Sequence, residues 1–169
     1  MSLYQSTVPV FIRALQSMDG QFAKAQAWAA ENGTSADDLV EARLAPDMLT
    51  LAGQVQRATD AAKLNVFRMT GLAAPAWPDE EKTFAELRAR IATAIAWLEA
   101  VDAAAFEGSD ARPIRMEFPG MSFDFENGGE FLRRFALPNF HFHTAMAYAV
   151  LRAQGVPLGK ADYLATMMS

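Results

Sequence analysis

Apolar residues recur at the helical period over four stretches of this chain and at every second position over one. Phe11, Leu15, Met18, Phe22, Ala25 and Ala29 share a stripe, which predicts a first helix ended by Asn32-Gly33, with Pro9 in its first turn or at a kink. A connector over 35–41 has room for one helical turn. Pro46 is then expected to open a second helix, whose stripe is Met48, Leu51, Val55, Ala58, Ala62, Val66 and Met69 and which Gly71 closes. Gln56, Asp60 and Lys63 lie off that stripe, so the pattern gives them a solvated face with an Asp60/Lys63 pair and no chemistry. Two prolines and a glycine within 71–79 read as a crossover loop. Thr83-x-x-Glu86 is a capping box that begins a third helix along Phe84, Leu87, Ile91, Ile95, Leu98 and Val101.

The period then shortens to two. Ile114, Met116 and Phe118 alternate with Arg115 and Glu117; beyond Pro119-Gly120, Met121, Phe123 and Phe125 alternate with Ser122 and Asp124, which predicts a hairpin. A fourth helical pattern covers 130–154, kinked or divided at Pro138 and stopped by Gly155-Val156-Pro157. Four amphipathic helices need one another for burial, so the expected fold is all-α, an antiparallel four-helix bundle with a small β-hairpin before the last helix.

Composition narrows the function. At 169 residues, 51% hydrophobic and 21% charged, the chain suits one domain over 1–169 with a substantial core. The absence of cysteine excludes disulfides, thiolate metal sites and a cysteine nucleophile. A net charge of −5 argues against a nucleic-acid partner, which needs clustered Lys and Arg. No apolar run approaches the ~20 residues that span a bilayer, and Met1 to Val10 lacks a basic segment leading into an apolar one, so no membrane partner and a cytoplasmic location are expected. Glycine-rich phosphate loops, G-x-S-x-G elbows and helical H-E-x-x-H motifs are missing.

The two histidines, His141 and His143, would converge on a strand but lie about 200° apart on a helix. A stripe through Phe131, Phe135, Phe142, Met146, Ala149 and Ala153 favours the helix, so the pair is no chelate. On that wheel Asn139 and His143 fall inward beside Leu132, Met146 and Val150, whereas His141 falls outward with Arg134, Tyr148 and Arg152. Buried polar groups need partners, so Asn139 and His143 either form a satisfied core pair or line a central pocket. Asp47, expected in the first turn of the second helix, either balances the helix dipole or joins that pocket. The nine methionines are expected to fill core gaps, and Trp28, Trp77 and Trp97 to pack singly.

The string Leu132 to His143, with Ala147 to Arg152, Gly155 to Leu164, Arg43 to Met48 and Ser2 to Pro9, resembles a bacterial family of unknown function within the DinB/YfiT-like four-helix superfamily. That resemblance implies homodimers and, in many relatives, a divalent metal held by one histidine on the second helix and an H-x-x-x-H pair on the last, as in metal-dependent thiol transferases. Here the pair falls on Asn139 and His143, and Asp47 is the nearest substitute for the third ligand. Three imidazoles suit zinc or nickel; one imidazole, an amide and a carboxylate make a weaker set. Two readings follow. One is a small-molecule-binding or structural bundle with a degenerate polar pocket at Asp47, Asn139 and His143, and with His141 and Tyr148 on the outer side. The other is a divalent-metal-dependent transferase or hydrolase using His143 and Asp47.

Overall fold

A computed structural model describes residues 2–166. Four long helices carry the core: α1 (Leu3–Glu31), α2 (Leu51–Thr70), α3 (Phe84–Glu99) and, after the strands β1 (Ile114–Phe118) and β2 (Met121–Phe125) and the short α4 (Gly128–Phe131), α5 (Leu137–Ala153). A last short helix, α6 (Lys160–Leu164), packs on α1 and has no counterpart in the sequence pattern. Helix α1 packs against α3 and α5, and α2 against α3 and α5, so the four share one core of Phe11, Phe22, Leu51, Leu87, Leu98 and Phe140.

The first and third helices follow their stripes. Ser2 caps α1, and Pro9 lies inside it. The Thr83/Glu86 capping box forms as the pattern requires, with the Glu86 N–H donating to Thr83 Oγ1 at 3.2 Å and the Thr83 N–H to Glu86 Oε2 at 2.9 Å. The second helix starts later than expected. Residues 45–48 make a turn closed by Met48 N–H to Ala45 O, and Thr50 caps α2 through Gly53 N–H. The N–H groups of Leu51 and Ala52 donate to Ala42 and Val40 carbonyls in the connector, so α2 begins with its orphan donors already satisfied.

The hairpin pairs Ile114 with Phe125 and Phe118 with Met121. Its apolar face is buried at the base, where Phe125 meets Phe131 edge-on at 5.3 Å, while Phe118, Met121 and Phe123 at the tip remain exposed. Beyond it the chain turns at Gly128, where a Cβ would come within 2.5 Å of the Ser109 carbonyl oxygen, so only glycine fits.

The fourth helix departs from expectation in its phase. Pro138 neither ends nor splits it; α4 runs into α5 through one π-helical turn, Leu132–Ala136. Proline has no N–H to give the preceding turn, and its ring crowds the carbonyl four residues back, so the backbone there opens to admit an extra residue. One extra residue slips the stripe by about 100°. The buried face is therefore Phe140, Thr144, Ala147, Val150 and Leu151, and Phe142, expected inside, is 52% exposed. Helix α5 is apolar on nearly every side, so composition alone does not reveal the slip.

Candidate functional site

The slipped phase sets where the polar side chains of α5 go. His143 lies half-buried on the flank of α5 that meets α2, and its Nδ1 is 2.9 Å from Gln54 Oε1. Gln54, in the first turn of α2, is 1% exposed. An amide oxygen only accepts, so His143 Nδ1 holds the proton and Nε2 keeps its lone pair. Burial pushes the His143 pKa below 6.5, and the Arg57 guanidinium, one turn along α2, pushes it the same way. The site thus presents a neutral imidazole, oriented from one side by a buried amide.

Eleven residues beyond Gln54, the fully buried Asn65 donates from Nδ2 to the Ala136 carbonyl at 3.4 Å, at the end of the π turn. Gln54 and Asn65 therefore face the last helix from the same side of α2, Asn65 at the end of the π turn and Gln54 about two turns beyond it. Neither was singled out in the sequence, although their 11-residue spacing is a helical signal.

The other expected site residues are dispersed. Asn139, one turn before His143, is half-buried, and its amide makes no hydrogen bond among the described residues. His141 is on the opposite flank, half-buried rather than turned to bulk solvent, and burial lowers its pKa as well. Tyr148 packs edge-on with Tyr163 of α6 at 5.9 Å, and Tyr163 OH is 3.0 Å from Thr144 Oγ1. Asp47 is exposed in the turn preceding α2, outside the helix whose first turn it was expected to occupy, and among the described residues it makes no hydrogen bond or ion pair with His143. The two imidazoles share no common point, as the helical spacing required.

The larger correction concerns the supposedly solvated face of α2. Lys63 is only 6% exposed, held between Asp60 Oδ1 at 2.9 Å and the Trp77 ring, 4.2 Å from its centroid. Arg90 of α3, 5% exposed, donates to Thr59 Oγ1, the Pro78 carbonyl, Glu81 and Asp60, and pairs with Asp79 at 3.0 Å. Arg57 joins Asp79 at 2.5 Å, and Gln56 donates to Glu81 Oε2. Burial alone would raise the Glu81 pKa, but its bonds from Arg90 and Gln56 outweigh that and hold it below its usual value. Three cations and three carboxylates thus close on one another, and residues 77–81 of the crossover become the lid that buries Lys63 and Arg90. Periodicity places Asp60 and Lys63 off the core stripe correctly; it carries no information about a distant loop folding back over them.

Both histidines have folded-state pKa values below 6.5. Between those values and 6.5 the unfolded chain binds more protons than the native one, so stability rises with pH there. Their contribution is complete above about pH 6.5 and falls as pH drops through the folded values. In urea titrations the midpoint is expected to fall between pH 7.5 and 5.5, and to fall less in His143→Gln; an identical fall in that variant contradicts the assignment for His143.

Four long helices with a hairpin before the last and a histidine facing the second define a DinB-like helical protein. A crystal structure of a DinB family member protein from Shewanella denitrificans superposes with a TM-score of 0.86 at 40% identity, covering 96% of this chain and 91% of that one. The family model for a domain of unknown function, DUF1993, matches residues 3–164, and the chain belongs to that family. No curated protein matches. The metal that the sequence resemblance implied does not fit these residues. The α2 side chain facing His143 is Gln54, whose oxygen is engaged by the imidazole, Asp47 is exposed and bonded to neither, and a guanidinium opposes a cation. Among the described residues no group of three or more His, Asp or Glu could hold an ion.

Proposed function

We propose that this chain is an antiparallel four-helix bundle of the DinB type that acts without a metal, binding a small polar molecule at the α2/α5 seam through His143. We also propose that it works in the cytoplasm as a homodimer. The single observation that carries the reading is the His143/Gln54 hydrogen bond. A buried amide that fixes one ring nitrogen leaves the other as an oriented acceptor, suited to an O–H or N–H donor on a ligand. Asn139, half-buried one turn away and with no side-chain hydrogen bond among the described residues, supplies an amide on the same flank.

The test is a thermal-shift screen of small hydroxy acids, amides and amines against the wild-type chain and His143→Phe. A compound near 100 times its Kd adds about 2.7 kcal/mol to the stability. The reading requires at least one compound that raises Tm in the wild type and not in His143→Phe. It fails if every stabilising compound acts equally on both, or if none stabilises and His143→Leu is more stable than the wild type, which would make the imidazole purely architectural.

A further inference from the structure

A concavity borders the charge network at Glu81 and Arg90. It is a groove of about 400 Å³ between the crossover and the outer face of α3, walled by Trp77 and Pro78 and floored by Ala89 and Thr93. Glu80, Glu81 and Glu86 also line it, against the single guanidinium of Arg90. Arg90 and Glu81 are spent on each other and on the network, and Glu86 Oε2 is held by the Lys82 and Thr83 N–H groups of the cap. Glu80 is exposed and makes no ion pair among the described residues. What the groove offers a ligand is therefore an indole wall, free carboxylate oxygen and an excess of negative charge. The indole already attracts cations: the buried Lys63 ammonium lies over one side of it at 4.2 Å, and the Arg90 guanidinium carbon is 6.0 Å from its centroid. Trp77 lines the groove as well, beside Arg90.

We infer that this groove is a binding site for a small organic ammonium ion, seated against the Trp77 indole and neutralised by Glu80. An aromatic wall with carboxylates nearby favours an alkylated ammonium, whose weak hydration makes desolvation against the ring less costly than for a metal ion. An anion meets three carboxylates and is excluded. The site is separate from His143 and stands or falls without it.

Tetramethylammonium chloride serves as the probe, titrated into the ¹⁵N-labelled full chain with sodium chloride at matched ionic strength as control. The indole N–H signals of Trp28 and Trp97 are internal references. The inference expects a saturable shift of the Trp77 indole signal beyond that in sodium chloride, with Trp28 and Trp97 unmoved. Glu80→Gln, an exposed substitution with no bond to lose, is expected to weaken binding about fivefold. Trp77→Leu, checked for retained helicity, is expected to abolish the saturable shifts of its groove neighbours Ala89 and Thr93. A Trp77 signal that follows sodium chloride alone, three indoles that move together, or an unchanged affinity in Glu80→Gln overturns the proposal.

Discussion

Arg90→Met is expected to destabilise the fold by about 3 kcal/mol, the cost of removing one partner from a buried ion network. Methionine fills much of the same volume, so the loss reports charge rather than a cavity. The guanidinium serves three carboxylates and a backbone carbonyl at once, and without it Asp60, Asp79 and Glu81 face one another with only Lys63 and Arg57 to balance them. The partners are more exposed than Arg90 itself, which keeps the figure at the low end of the range for buried pairs. Urea unfolding reads it as a lower midpoint at unchanged slope. A loss below about 1 kcal/mol would place the network among solvent-screened surface pairs and contradict its role in closing the crossover over Lys63.

The second large effect concerns the π turn. Deleting the exposed Arg133 while changing Pro138 to Ala removes both the extra residue and the reason for it, so α4 and α5 join as one regular helix with their buried faces in register. That variant is expected to keep its helicity and to unfold within a few degrees of the wild type, each 1 kcal/mol being worth roughly 3 °C at this size. Deleting Ala145 instead rotates everything beyond it by about 100° and turns Ala147, Val150 and Leu151 away from the core. The expected cost exceeds about 4 kcal/mol, from loss of two buried aliphatic side chains alone. Circular dichroism melts of the two deletions decide the matter. Equal destabilisation by both would mean that the turn is not a one-residue insertion in an otherwise continuous helix.

Much of the fold was legible because it depends on short-range periodicity and local capping. The α1 and α3 stripes, the Thr83/Glu86 box and the alternating hairpin each use signals contained within one element or two adjacent strands. The failures share a physical cause as well. Pro138 is visible in the sequence, but a proline can end, bend or bulge a helix, and everything inferred about which residues of the last helix face inward inherits that ambiguity. Pro46 can open a helix and so predicts one over Asp47, whereas Thr50, four residues on, is the stronger cap. Gln54 carries no signal of its own in the sequence, because a single polar residue beside Val55 in a helix looks like ordinary surface until the facing element is known. The Arg90 network joins groups 30 residues apart in sequence and lies beyond any local pattern. Family resemblance leads to the right relatives, while the positions it carries over hold an amide and a carboxylate here where imidazoles would suit a metal.

The protonation of His143 decides whether Gln54 orients its ring. Long-range ¹H–¹⁵N correlation at pH 7.5 on the labelled protein, with His141 as the second ring for comparison, distinguishes a protonated ring nitrogen from one bearing a lone pair. A neutral His143 is expected, with the proton on Nδ1 and the lone pair on Nε2, reversing or averaging between the two nitrogens in Gln54→Leu. A proton resident on Nε2 in the wild type, or a charged ring at that pH, would contradict it.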